Sequence, residues 1–576
     1  MQQQTMQRIV FSALFFLLVS SCVLLDITVI HDSHIMMKWF GCYGAVILLA
    51  VSLPLWSETL EGHIRIVDLA VALFIAFIFI ADYIRDDWDY TLLLRTTLLL
   101  LLYFVFRQSL DNKVLHTCIT LFLAVATALA LWGIVQFVLA LVHHQPLHTA
   151  VVGSFDNPAG FSLTLSLALS AAISLLTSSG PYESQKHCTC IALGIVLLAL
   201  LLSASRTGWL SAMCTGIYTY YLCCKTSQRR IGLFLIAIVL LFGLFYFIKQ
   251  DSANGRTYIA LCTWQQIIDA PLWGHGRYGF TSGYMDCQAD YISMHPDSHF
   301  AWLADNVHHP FNEWLYLMVR YGIAGLIALT GVLLSVIPAI KRELSTNHVL
   351  PVGMLVALLP FTFLSYPMQY PLAWVMLALV IGLLAKHTKS VCHIHRNLAL
   401  PLLALLTACT ATPLFYRTLR TEMEWYDVTT RSLSGQTRYM MPRYKELYSN
   451  MKHSPHFLYN YAAELNYIGE YQCSQQVLDE CMQRMKDYDT HLLAASNHEH
   501  MGNFGIAERH YRQASAMCPI RFVPLYRLAR LYGTMERYDE QRDMAQQIMD
   551  KKEKVPSQRI TEIKHEMRYV LEKRDY

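Results

Sequence analysis

The chain has 576 residues, 54% of them hydrophobic and only 15% charged, with a formal net charge of +3. A mean hydropathy of +0.32 excludes an ordinary soluble globule, and the near-neutral balance gives no reason to expect nucleic acid as a partner. The 15 cysteines lie mostly in apolar segments, as at Cys118, Cys214 and Cys409, which excludes a disulfide framework.

From the N-terminus, Val19-Ser-Ser-Cys22 resembles a lipoprotein cleavage box, but the apolar run continues through Leu25, so 9–25 reads as a first membrane helix. Further runs of membrane length follow near 39–56, 66–81, 91–106, 114–142, 160–177, 191–204, 207–224, 231–249, 314–337, 349–365, 371–385 and 398–415, thirteen in all. The stretch 191–224 is interrupted only by SASRTG at 203–208. As one helix it would be about 50 Å long, too long for a hydrocarbon core of about 30 Å. It is therefore expected to turn at Ser205-Arg206 into two helices.

With a cytoplasmic N-terminus, the short inner connections collect Arg8, Arg65, Arg107, Lys113, Lys186, Lys225, Arg229, Arg230, Lys341, Arg342, Lys386, Lys389 and Arg396. The outer ones keep only Lys38, Arg85 and Arg206, the asymmetry of a cytoplasmic N-terminus and a periplasmic C-terminus. The expected fold is all-α: a polytopic helical membrane domain of about thirteen spans over 1–415, then a soluble, periplasmic helical-repeat domain over 416–576. In that tail Gly469-Glu-Tyr471 recurs as Gly502-Asn-Phe504 and, without the glycine, as Glu536-Arg-Tyr538. The spacing of 33 to 34 residues resembles tetratricopeptide repeats, helix pairs that bind partners or brace neighbours.

The longest polar interval between apolar segments, 250–313, is an outer loop rich in arginine, histidine and aromatics. Pro310 suits a first helical position, which would put His309 at an N-cap and favour its neutral, proton-accepting form. Arg256 and Arg277, with Arg206 on the neighbouring turn, supply guanidinium forks for phosphate oxygens. These parts suit transfer from a phosphorylated lipid donor; a loop of solvated arginines and an N-cap histidine is the plainer alternative. A zinc cluster of His295, Asp297, His299, His308 and His309 lacks any metal-ligand spacing. Cys262 and Cys287 could bridge in an oxidising compartment.

Four segments, GSFDNPAGFS at 153–162, SASRTGWLS at 203–211, GRTYIALCTWQQIIDAPLWGHG at 255–276 and HHPFNEWLYLMVRYGIAG at 308–325, resemble the bacterial O-antigen ligase-like superfamily. That family includes O-antigen ligases, related polymerases and protein O-oligosaccharyltransferases. The resemblance implies a glycosyltransferase that needs no metal or cofactor and takes its glycan from an undecaprenyl-diphosphate donor at the outer face of the inner membrane. Lipid A–core, a protein or a growing polymer would accept it. It implies Arg206 and Arg256 as donor-diphosphate residues and His309 as base, with His308 as alternative, because Phe311 stands where many members carry a histidine. Arg277, Asn312 and Asn157 join His308 as expected substrate contacts. Membrane lipid and a protein on the repeats are the further expected partners. A transporter or flippase of lipid-linked sugar, the reading from another class, should show internal helix repeats and mid-membrane charges.

Overall fold

A computed structural model describes residues 2–53, 63–146, 150–177, 185–224, 250–346, 350–393 and 399–572. In chain order the elements are α1 (Gln2–Leu24), α2 (Met36–Ser52), β1 (His63–Arg65), α3 (Ile66–Ile84), α4 (Tyr90–Ser109), α5 (Asn112–Val142), α6 (Pro158–Thr177), α7 (Lys186–Leu202) and α8 (Arg206–Cys224). Then come α9 (Gln250–Asp269), α10 (Gly279–Met294), α11 (Glu313–Thr346), α12 (Leu350–Leu364), α13 (Pro371–Ala385), β2 (Ser390–His393) and α14 (Ala399–Arg431). The tail adds α15 (Thr437–Met451), α16 (Pro455–Tyr467), α17 (Tyr471–Met482), α18 (Tyr488–His500), α19 (Phe504–Met517), α20 (Val523–Thr534), α21 (Tyr538–Asp550) and α22 (Gln558–Glu572).

The protein is an all-α polytopic membrane protein. Apart from 231–249, which lies outside the described residues, each expected apolar run forms a helix within its described residues. Among the described residues α1, α3, α4, α5, α6, α11 and α14 are long and apolar enough to cross a membrane, while α2, α7, α12 and α13 are shorter apolar helices. Aspartates start two of them: Asp89 accepts the Leu92 N–H at 2.6 Å and Asp111 the Val114 N–H at 2.7 Å, satisfying amides that a first helical turn leaves open.

Two compact units emerge: Met1–Ile248 with Phe311–Trp314 and Gly325–Tyr426, and Lys249–Pro310 with Leu315–Ala324 and Asp427–Tyr576. The first is built on a continuous apolar core that includes Phe11, Trp39, Tyr43, Phe106, Phe122 and Phe161. At one end β1 and β2 form a two-stranded antiparallel ribbon. Beside it Arg107 and Asp68, both buried, pair at 2.5 Å, and the Tyr103 hydroxyl donates to Asp68 at 2.6 Å. Arg65 donates to the Thr388 carbonyl at 2.7 Å, so two of the basic residues assigned to the cytoplasm gather at this end.

The second unit joins the polar loop to the tail. Helix pairs α16/α17, α18/α19 and α20/α21 stack in series, and in each the repeated aromatic (Tyr471, Phe504, Tyr538) opens the second helix. Gly469 and Gly502 hold φ of 91° and 77°, the left-handed turn that glycine permits. Ser474 and Ala507, three residues past the aromatic, are fully buried, where a larger side chain would part the helices. Cys262 and Cys287 are free thiols rather than a bridge. Cys262 is buried and engages the Tyr258 hydroxyl instead.

Candidate functional site

In the first unit the turns carrying Asn157 and Arg206 meet. Ser205 accepts the Gly208 N–H at 3.3 Å, Ser203 accepts the Ser205 N–H at 3.3 Å, and Ala204 takes a φ of 50°. The chain thus reverses between α7 and α8, with half-buried Arg206 as the first residue of α8. A Cβ on Gly208 would stand 2.7 Å from that of Ser162, so the glycine lets α8 touch α6, and the Ser205 and Ser162 hydroxyls bond at 2.8 Å. Upstream, Asn157 accepts the Ala159 N–H at 2.7 Å and its amide donates toward the Tyr366 and Tyr370 hydroxyls at 2.7 and 2.9 Å. The Asn157 amide is thereby committed to holding its turn. Fully buried Lys38 ties the same loop down, donating to the Leu25 and Ser154 carbonyls at 2.9 and 2.7 Å.

Phe311, Asn312 and Glu313 dock on the turn between α12 and α13. The Phe311 ring meets Tyr366 edge-on at 5.4 Å, Asn312 donates to the Phe363 carbonyl at 3.2 Å, and Glu313 accepts the Met368 N–H at 2.9 Å. Asn312 also accepts the Trp314 N–H at 3.0 Å, and α11 starts at Glu313. The expected N-cap at His309 is therefore corrected. Pro310 lies outside the helix and Phe311 takes a left-handed φ of 53°, so Asn312, whose short side chain can turn back on the backbone, does the capping.

In the second unit His309 packs edge-on against Tyr316 at 5.7 Å. Its pKa is pushed down to about 4 by burial first, then by His308 and the Arg320 guanidinium. The neutral form expected from an N-cap thus has another cause. Arg320 lies over the Tyr316 and Tyr321 rings at 5.3 and 5.0 Å and donates to the Tyr321 hydroxyl at 2.9 Å. Arg256 is half-buried on the second turn of the described α9 instead of opening that helix, and Arg277 stacks over Tyr278 at 5.3 Å. His308 is exposed.

Two glycines, Gly274 and Gly322, let the PLWGHG segment close on α11, since a Cβ on either would meet the other's backbone stretch within 2.6 Å. Gly322 (φ 61°, ψ −156°) breaks the helix there. Val319 and Arg320 carbonyls accept the His275 and Gly276 N–H groups at 2.7 and 2.9 Å; Pro271 and Leu272 carbonyls accept those of Ile323 and Ala324 at 2.8 and 3.1 Å. Interrupting a helix frees carbonyls and amides that must find new partners, and this loop supplies them.

The tail grips the segment leading to His309. Fully buried Gln288 donates to the carbonyls of Asp305 and Met517 at 3.0 and 2.7 Å and accepts from Tyr284 at 2.9 Å. Arg521 pairs with Asp305 at 2.7 Å, and Asn306 donates to Asp487 and Asp489 at 3.3 and 3.2 Å. Lys486 pairs with Asp286 at 2.6 Å.

Residues 191–330 match the family model described as O-antigen ligase. Over this stretch the chain is similar to the O-antigen ligase-like superfamily. No curated protein matches the chain. The ligase-family stretch contains Arg206, Arg256, Arg277, His308, His309 and Asn312, and it supports glycan transfer of the ligase or polymerase type. Among the described residues no group of three or more His, Cys, Asp or Glu could hold a metal ion.

Tyr316 and Arg320, which flank His309, and Tyr366 and Tyr370, which hold Asn157 and Phe311, are not among the site residues expected from the sequence. Tyr316 and Arg320 had a legible signal in their spacing, one helical turn apart and followed by Gly322. The two tyrosines had none, being brought to the site only by the α12–α13 turn.

Proposed function

We propose that the protein transfers a glycan from undecaprenyl diphosphate to an acceptor hydroxyl on the periplasmic face of the bacterial inner membrane, in the manner of an O-antigen ligase. The observation that carries the reading is His309: a histidine kept neutral by burial, in a family-matched stretch that also brings Arg206, Arg256 and Arg277. The acceptor oxygen attacks the anomeric carbon and the bond to the diphosphate breaks. The hydroxyl proton passes to His309, and Arg206 and Arg256 hold the departing diphosphate. A conjugate acid near 4 makes His309 a weak base, suited to a proton that leaves late, as carbon–oxygen cleavage makes the sugar centre electrophilic. Arg277, His308, Asn312 and Asn157 are the further substrate contacts of this reading.

The loop and the tetratricopeptide-like repeats form one compact unit, which supports a shared side of the membrane, and the basic-residue count supports the periplasm as that side. The same packing favours, as a second reading, a protein acceptor or a protein partner drawn in by the repeats; lipid A–core is the first.

The test is donor binding and transfer by purified variants. His309→Ala is expected to bind lipid-linked donor but lose about 10²–10⁴ in rate. Arg206→Lys and Arg256→Lys should recover little, since a point ammonium does not replace the bidentate fork. Wild-type transfer by His309→Ala with loss in His308→Ala would move the base to His308. Activity in all the variants would refute the site. Glycan profiling of lipid A–core, proteins and undecaprenyl intermediates in a deletion strain distinguishes the acceptors.

A further inference from the structure

Helix α9 has two unlike faces. Tyr258, Ile259, Cys262, Gln266 and Ile267 are buried inside the loop–repeat unit. Leu261, Trp264 and Ile268, spaced by three and four residues, remain 49%, 50% and 53% exposed, and Leu272 and Trp273 extend the stripe at 63% each. Residues at this spacing share one helix face. Five large apolar side chains, two of them tryptophan, thus form one strip on a helix that is not itself a membrane span.

The C-terminal end of that strip is tied to α11. Pro271 and Leu272 accept backbone hydrogen bonds from Ile323 and Ala324, the first residues of α11 past the break at Gly322. From there α11 continues as an apolar helix, in a stretch of mean hydropathy 2.4. Pro271 and Leu272 are consequently fastened to the backbone at the start of the apolar stretch of α11, with Trp273 next in sequence. Tryptophan concentrates at that boundary, and a helix with one apolar and one polar face settles in its plane.

We propose that α9 lies in the membrane interface, with Leu261, Trp264, Ile268, Leu272 and Trp273 seated in the lipid leaflet on the side of the loop. The occupant of the strip is lipid acyl chain and headgroup boundary, which holds Arg256 of the same helix close to the membrane surface.

The test uses the full-length protein in phosphatidylethanolamine–phosphatidylglycerol vesicles and compares the wild type with Trp264→Phe/Trp273→Phe. The fluorescence lost in the double variant reports those two rings. That difference signal is expected to be blue-shifted, quenched strongly by lipid brominated near the headgroup end of its acyl chains, and protected from aqueous iodide. Quenching by iodide without quenching by brominated lipid overturns the proposal. Resistance to both quenchers overturns it too, since that is the result of burial against a second copy of the chain. Each single Trp→Phe variant yields the same reading if the double variant does not fold.

Discussion

Replacing Gly322 by alanine should open the joint between the PLWGHG segment and α11. A Cβ on Gly322 would lie 2.4 Å from the carbonyl carbon and oxygen of Leu272 and 2.6 Å from the Trp273 nitrogen. These are backbone atoms, so no side-chain rotation relieves the clash. The φ of 61° and ψ of −156° fall in a region open almost only to glycine and cost a residue with a Cβ about 1–3 kcal/mol. Moving the loop away sacrifices the bonds from Ile323 and Ala324, at about 0.5–1.5 kcal/mol each. The sum is roughly 2–6 kcal/mol against the joint. Hydrogen exchange at the Ile323 and Ala324 amides should accelerate by about thirtyfold to about twenty-thousandfold, and transfer should fall with it. Gly331→Ala, on the same helix with open space around the added carbon, is the control and should be neutral or stabilising by up to about 1 kcal/mol. Wild-type exchange and transfer in Gly322→Ala would refute the reasoning.

Gln288→Ala should loosen the loop from the repeats more than Arg521→Ala. The first strands two carbonyls and a tyrosine hydroxyl in a fully buried site, a loss of about 2–4 kcal/mol, whereas the second removes a partly exposed ion pair of about 1 kcal/mol; limited proteolysis between 279 and 309 ranks them, and the reverse order would contradict the geometry. The repeats should also lose stability in acid. His491 and His510 meet Nδ1 to Nδ1 at 3.0 Å and both are pushed down to about 4, mainly by burial. Because their folded pKa lies below the unfolded value, the unfolded chain takes up more protons between pH 6.5 and 4. Stability is intact above that window and falls through it by about 2–4 kcal/mol for the pair, a trend that unfolding titrations at graded pH would detect and that His491→Phe should diminish.

The sequence by itself determined what depends on local pattern. Apolar run length set the positions of the membrane helices, since a bilayer of fixed thickness demands about twenty apolar residues wherever a helix crosses. The 34-residue stretch at 191–224 had to bend, and Ser203, Ser205 and Gly208 mark the bend because serine caps and glycine permits close approach. The period of 33 to 34 residues located the helix pairs of the tail. Tertiary structure alone decided the rest. Pro310 signalled a helix start, yet the docking of Asn312 and Glu313 on the α12–α13 turn moved that start to Glu313. A proline only tolerates a first helical position, while a satisfied cap fixes it. The neutral state of His309 comes first from burial, where its ring meets Tyr316, and then from His308 and Arg320, and the grip of the repeats on Asp305 and Asn306 joins residues about two hundred positions apart. Contacts of that range leave no periodic trace in a single sequence, because each partner satisfies its own local pattern equally well without the other.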